Sequence, residues 1–231
     1  MTQLQLPGQT AAHPGPVDMT MMYVMHHAFR RDLAAFPVAA AATPVTDREA
    51  WQALAARWEV FGFALHHHHS GEDVGLWPLM AARATDAERT VLDAMGAEHA
   101  EIDPILEACR AGFARLATSA DEDARAALAV RLVAARERLG HHLRHEETDA
   151  IAILQRVLTD ADWQSLEEEH FKAGISPARI RTLVPWVLEG LPEAVRRDLF
   201  ARPGGLMHRL LWLASRRAHQ RRAEVAFRYV G

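Results

Sequence analysis

Apolar residues recur every three or four positions along four long segments of this chain, a spacing that collects them on one face of an α-helix. The segments span residues 18–36, 47–77, 85–116 and 122–158. No stretch shows the strict alternation of apolar and polar residues that is typical of a strand. Because short connections between long helices make neighbouring helices antiparallel, the pattern predicts an all-α protein in which residues 18–158 form an up-down-up-down four-helix bundle.

Capping residues set the expected limits of these helices. Thr46 with Glu49, and Thr85 with Glu88, match the capping box that begins a helix. Pro78 is expected to kink or end the second helix, because proline lacks an N–H and clashes with the preceding turn. The second helix is therefore expected to begin at about Asp47 and to end near Trp77, just before this proline.

The two ends of the chain differ from this pattern. Residues 1–17 are rich in proline and glycine and lack periodicity, so we expect a flexible N-terminal arm. Residues 159–231 have a helical pattern that glycine and proline break into shorter pieces. Because this region is too apolar for a free tail, we expect a helical C-terminal extension that packs on the bundle or on a partner. A homo-oligomer formed through these helices is one such arrangement.

Composition and charge narrow the function classes. The net charge of −4 does not favour a protein that coats nucleic acid. The last 30 residues carry seven arginines against Glu224 alone, a segment that suits nucleic acid, an acidic partner, a membrane surface or the acidic remainder of the chain. We favour the last of these, so nucleic-acid binding is not expected. The single cysteine, Cys109, excludes an intramolecular disulfide and a cysteine-based zinc site.

The chain has no apolar run of about 18 residues that would predict a membrane-spanning helix. Its N-terminal residues do not show a basic stretch followed by an apolar one, as a signal peptide would. These two features predict a cytoplasmic protein. The outlier in composition is histidine, with 14 residues.

Histidines on the apolar faces carry the strongest functional signal. On helical wheels, one histidine of each long segment falls on the apolar stripe: His26, His68, His99 and His142. Three of them are followed one helical turn later by an acid: Glu72, Asp103 and Glu146. Side chains at i and i+4 project from one face, so both can reach the same ion. Buried imidazoles and carboxylates need a partner that offsets their desolvation, and a metal ion suits both.

The number and type of candidate ligands limit the metal. Six or seven nitrogen and oxygen ligands exceed what one tetrahedral zinc takes, and they suit two octahedral ions such as iron or manganese. A ferritin-like site needs two Glu-x-x-His motifs, but only Glu167-x-x-His170 occurs, outside the long segments. The absence of His-Glu-x-x-His excludes a zincin protease. The alternative is a metal-free structural bundle with unrelated core and surface histidines.

The candidate ligands lie in four short segments: HHAFRRDL at 26–33, HHSGEDVGLWPLM at 68–80, AEHAEID at 97–103 and HHLRHEE at 141–147. Together these segments resemble the hemerythrin-like, or HHE cation-binding, domain family, and the resemblance covers about residues 18–158. It implies a nonheme di-iron centre inside a four-helix bundle. The ligands that it implies are His26, His68, Glu72, His99, His142 and either Glu146 or Glu147.

The chain departs from the oxygen-carrier pattern of that family. Asp103 stands where carriers have a histidine, and the last acid is either Glu146 or Glu147. A carboxylate in place of an imidazole makes the site more anionic, which favours ferric iron and disfavours reversible dioxygen carriage. We therefore expect two iron ions, or manganese, in a site that binds or reacts with dioxygen, peroxide or nitric oxide. This function fits a di-iron oxidoreductase or a binding protein, and the alternative is an iron store or an iron or redox sensor that signals through the C-terminal helices.

Overall fold

The computed structural model describes residues 3–230, and this part of the chain is helical with no strand, which confirms the all-α prediction. Residues 1, 2 and 231, which belong to the predicted arm and extension, lie outside the described residues. The α-helices, in chain order, are α1 (Thr20–Ala42), α2 (Arg48–Gly71), α3 (Trp77–Ala81), α4 (Asp86–Leu116), α5 (Glu122–His145), α6 (Ile151–Val157), α7 (Asp160–Leu166), α8 (Pro177–Leu188), α9 (Glu193–Ala201) and α10 (Gly205–Ala226). None of the described helices has both the length and the apolar character needed to cross a membrane.

The limits of the first helices differ from the sequence predictions. An end near Phe36 is expected, but α1 continues through Pro37 into a run of four alanines, which favour helix. The capping box at Thr46 is wrong, because Asp47 caps α2 by accepting a hydrogen bond from a backbone N–H of the first turn. The capping box at Thr85 is confirmed at the start of α4.

Two of the long helices pass into a π-helical turn, where the sequence predicts regular helix. Glu72–Leu76 joins α2 to α3, and Glu146–Ala150 joins α5 to α6. A third turn of this kind, Glu167–Lys172, follows α7. Pro78 lies in the first turn of α3, where a missing N–H is tolerated, so the helix continues past it. π-Helical turns are frequent at functional sites, and two of these three begin at a candidate metal ligand.

The long helices enclose an apolar core. α4 packs along α5, α5 along α1, and α2 along α4. Phe36, Trp58 and Phe113 come together inside this core with ring centroids 5.0 to 5.5 Å apart. Such tilted and edge-to-face contacts are the arrangements that aromatic rings favour. The up-down-up-down order of the bundle stays a prediction.

A buried ion network joins the C-terminal helices to the bundle. Asp32 accepts two hydrogen bonds from Arg57, each 2.7 Å long, and one of 2.8 Å from the indole N–H of Trp186. Glu189 also pairs with Arg57, and the Nε2 atom of His219 lies 3.1 Å from the Glu189 carboxylate. This network holds α8 and α10 against α1 and α2. The domain limits stay a prediction.

The segment before α1, residues 3–17, contacts the helices of the bundle. It has no helix or strand, but Leu6 and Val17 are buried. The side-chain oxygen of Gln155 accepts a hydrogen bond from the N–H of Val17, and its amide donates to the carbonyl of the same residue. Apolar anchors and hydrogen bonds thus tie parts of this segment to the bundle, and the flexibility expected of it stays a prediction.

Candidate metal centre

Histidines from four helices meet inside the bundle. His26 of α1, His68 of α2, His99 of α4 and His142 of α5 are each no more than 4% exposed. The Nε2 atoms of His26 and His68 are 3.3 Å apart, and those of His99 and His142 are 3.0 Å apart. The structure thus brings together all four histidines that the helical period turns inward, in two pairs whose Nε2 atoms approach each other.

Two glutamates, Glu72 and Glu146, lie between the two histidine pairs. Each carboxylate approaches one histidine of each pair. The distances from Nε2 to the carboxylate oxygens are 3.1 Å for His68 and Glu72, 3.6 Å for His99 and Glu72, 3.1 Å for His26 and Glu146, and 3.8 Å for His142 and Glu146.

The oxygens of these two glutamates lack the hydrogen bonds that buried polar atoms need. Both side chains are fully buried, yet none of their four oxygens accepts a well-directed hydrogen bond within the described part of the chain. Both ring nitrogens of the buried His69 are unpaired in the same sense. Unpaired buried carboxylates are strongly destabilising unless a cation neutralises them, so the residues present fit a metal site.

Three sets of side chains in this interior each place their donor atoms within 4.8 Å of one another. We call them the interior donor sets: His26, His68 and Glu146; Glu72, His142 and Glu146; and His69, His99 and His142. Glu146 belongs to two sets, and so does His142. The three sets are therefore contiguous and share side chains.

Three of these histidines also bond to an outer carboxylate through Nδ1, the ring nitrogen that does not face the two central glutamates. In each of them the Nδ1–H group donates a hydrogen bond to a carboxylate. His26 donates to Glu147 at 2.9 Å, His99 to Asp73 at 2.8 Å, and His142 to Glu98 at 2.8 Å. A proton on Nδ1 leaves a lone pair on Nε2, which is the form of imidazole that binds a metal. Since these Nε2 atoms face the two central glutamates, the outer carboxylates orient the rings for coordination.

Glu147, one of the two alternatives for the last acidic ligand, has its oxygens occupied by other partners. It accepts hydrogen bonds from the guanidinium of Arg30 at 2.7 and 2.9 Å, and from the backbone N–H of Thr10 at 2.8 Å. Glu146 belongs to the donor sets and Glu147 does not. Glu147 therefore orients His26, while Glu146 faces the interior space.

One candidate ligand lies away from the site, and one residue of the site was missed. Asp103 is exposed on α4 and belongs to none of the donor sets, because its position falls at the edge of the inward face. His69 stacks on His99 with ring centroids 3.8 Å apart. The wheel places His69 at the edge of the apolar stripe, and its location beside His68 is the only signal that could have found it.

Burial and neighbouring charges shift the pKa values of the buried side chains in different directions. Burial alone would lower the pKa of His26, but the nearby Glu146 and Glu147 raise it to about 9. Burial and the charge of Glu146 raise the pKa of Glu72 well above its usual range. Burial lowers the pKa of His68 well below its usual range, which keeps that imidazole neutral and able to bind a metal.

An all-helical bundle with imidazoles and carboxylates converging in its interior defines a class, the helical metal-binding proteins. The family is given by comparison with known proteins. The model of the hemerythrin HHE cation-binding domain matches residues 18–154, so this chain belongs to that family, as its sequence motifs predict. Comparisons with curated proteins and with solved structures found no significant match.

Proposed function

We propose that the interior donor sets hold two iron ions. The observation that carries this proposal is the pair Glu72 and Glu146, whose four oxygens are buried among four imidazole Nε2 atoms without a well-directed hydrogen bond. Nitrogen and oxygen donors in this number suit two octahedral ions better than one tetrahedral zinc, and manganese fits the same donors. The up-down-up-down order expected from the short connections would bring all four helices to these ions.

Two bound iron ions would supply a redox-active centre with coordination positions open to a small ligand. The chain's own side chains bind and orient. Glu146 and Glu72 would hold and neutralise the ions, while Glu147 and the other outer carboxylates fix the imidazole rings. Phe29, whose ring centroid lies 5.3 Å from that of His68, is fully buried and helps exclude water from the site.

The burial of the site limits the ligand to a small molecule. We therefore propose dioxygen, peroxide or nitric oxide as the molecule that the centre binds or reacts with. Asp103, the acid that would disfavour reversible dioxygen carriage, is exposed and leaves the charge of the interior unchanged. Reversible binding and oxidoreductase turnover therefore both fit this site, and spectral titration of the reduced protein with each of the three ligands distinguishes them.

Elemental analysis of the purified protein tests the metal. We expect about two iron ions per chain together with visible absorption. His68→Ala is expected to lose iron, since the Nε2 atom of His68 lies 3.1 Å from Glu72. His66→Ala is the matched control, because His66 is exposed on the same helix and belongs to no donor set. Equal iron content in the two variants would contradict the proposal, and a wild type without metal would favour the structural bundle.

A second candidate function is an iron or redox sensor that signals through the C-terminal helices. The Nε2–H of His67, beside the proposed ligand His68, donates to the carbonyl of Phe171 at 2.9 Å. The Phe171 ring also lies against Gly71, where an added Cβ would come within 2.8 Å of it. The extension thus contacts the end of α2, which leads into the turn at Glu72.

Hydrogen exchange of the iron-loaded and metal-free proteins tests the sensor. We expect metal-dependent protection in residues 167–188, with a change in oligomeric state if the partner is a second copy of the chain. Protection confined to residues that contact the metal would refute signalling and leave the binding or redox function.

A further inference from the structure

A second cluster of metal-ligating side chains lies outside the interior donor sets. Glu98 projects from α4, and His141 and His145 project from α5 one helical turn apart. Residues at i and i+4 share a face of the helix, so both imidazoles reach the same carboxylate across the contact between α4 and α5. One donor atom from each of the three residues lies within 4.8 Å of the others.

The distances and exposure make this cluster accessible from solvent. One oxygen of Glu98 lies 2.8 Å from Nδ1 of His145 and 3.5 Å from Nε2 of His141. The side chain of His141 is 64% exposed and that of Glu98 is 18% exposed. An ion can therefore arrive from solvent at His141, while the carboxylate is held by the protein.

Further contacts support the ligands from behind. A carboxylate oxygen of Asp149 lies 3.6 Å from Nε2 of His145, on the opposite side of the ring from Glu98. The second oxygen of Glu98 accepts the hydrogen bond of 2.8 Å from Nδ1 of His142. The hydrogen bond to His142 fixes the orientation of Glu98, and outer contacts of this kind increase metal affinity.

We propose that Glu98, His141 and His145 form a peripheral site for a divalent transition-metal ion, with zinc as the best fit. Two imidazole nitrogens and one carboxylate oxygen are the ligand set of zinc sites that leave a fourth position open. Glu98 also accepts a hydrogen bond from His142, which belongs to the interior donor sets. An ion at this site would therefore bind a carboxylate that also orients an interior histidine. The peripheral and interior sites are therefore adjacent and joined through one side chain.

Zinc titration of the purified protein with its own iron tests this proposal. The wild type is expected to bind about one zinc ion per chain, with its iron content unchanged. His141→Ala removes an exposed ligand that belongs to no interior donor set, so its zinc affinity is expected to fall at least about tenfold. His66→Ala removes another exposed histidine and is expected to bind zinc as the wild type does.

The His68→Ala background separates this proposal from that of the interior iron. His68 belongs only to an interior donor set, so His68→Ala is expected to bind zinc at the peripheral site as the wild type does. The double variant His68→Ala with His141→Ala is expected to lose this zinc. The peripheral site is overturned if His141→Ala and His66→Ala bind zinc equally tightly. It is also overturned if zinc is taken up only in proportion to the iron that leaves.

Discussion

Glutamine in place of Glu146 or Glu147 separates the roles of two adjacent acids. Both changes preserve side-chain shape and remove one negative charge. Glu146 supplies an oxygen to two donor sets and lies 3.1 Å from His26. Glu147 supplies none, and it holds the same imidazole through Nδ1 at 2.9 Å. We therefore expect Glu146→Gln to lose iron and Glu147→Gln to retain it with lower affinity.

The magnitude follows from the contacts that each change removes. A residue that supports a ligating histidine contributes about 10- to 100-fold in metal affinity, or about 1.4 to 2.8 kcal/mol. Glu147→Gln falls in this range, because an amide oxygen can still accept a hydrogen bond from His26 while the ion pair with Arg30 is lost. Glu146→Gln removes a donor common to two ion positions, so the loss should exceed about 100-fold for each ion.

Iron retained after dialysis against a graded series of chelator concentrations measures these affinities. The expected order is wild type, then Glu147→Gln, then Glu146→Gln, and circular dichroism checks that each variant keeps its helices. If Glu147→Gln loses its iron while Glu146→Gln keeps it, the assignment of roles from the donor sets is refuted.

Three further predictions concern the framework around the site. Asp32→Ala leaves the buried guanidinium of Arg57 without its main partner, so urea unfolding should show a loss of about 3–5 kcal/mol, and a loss below about 1 kcal/mol would contradict this. Phe36→Ala removes a fully buried ring and should lose about 3–5 kcal/mol in the same assay, with Phe36→Leu losing clearly less. Burial opposes ionisation of Glu189, but the hydrogen bond from His219 and nearby arginine charges lower its pKa from the usual 4.5 to about 2. Its contribution to stability is therefore complete above pH 4.5 and disappears as the pH falls through about 2. Urea unfolding of the metal-free proteins should show a smaller loss over that interval in Glu189→Gln than in the wild type, and equal losses would refute the link.

The interior histidines could be predicted because each lies in a long regular helix. The helical period places them, and it also places the two glutamates one turn after a histidine. The prediction fails for neighbours on α2, because this helix lies between α1 and α4. His68 therefore approaches His26, while the adjacent His69 stacks on a histidine of α4. A helix that packs against two neighbouring helices turns residues inward on two faces, and a single apolar stripe predicts only one of them.

Helix limits depend on contacts that a local pattern does not contain. Thr46 and Asp47 both offer a capping side chain, but the second oxygen of Asp47 also accepts a hydrogen bond of 2.9 Å from the hydroxyl of Tyr229. Each π-helical turn adds one residue to a turn of helix, and no characteristic residue pattern in the sequence predicts it. The choice between Glu146 and Glu147 depends on Arg30 and other partners distant in sequence, so the spacing alone leaves both alternatives open.

The backbone of the segment before α1 donates hydrogen bonds to side chains that are translated much later. The N–H groups of Thr10 and Val17 donate to Glu147 and Gln155, which follow them by 137 and 138 residues. These parts of the arm therefore leave the ribosome well before their partners exist, and contacts of such separation are slow to form. The hydrogen bonds of Thr10 and Val17 can therefore form only after Glu147 and Gln155 have been synthesised.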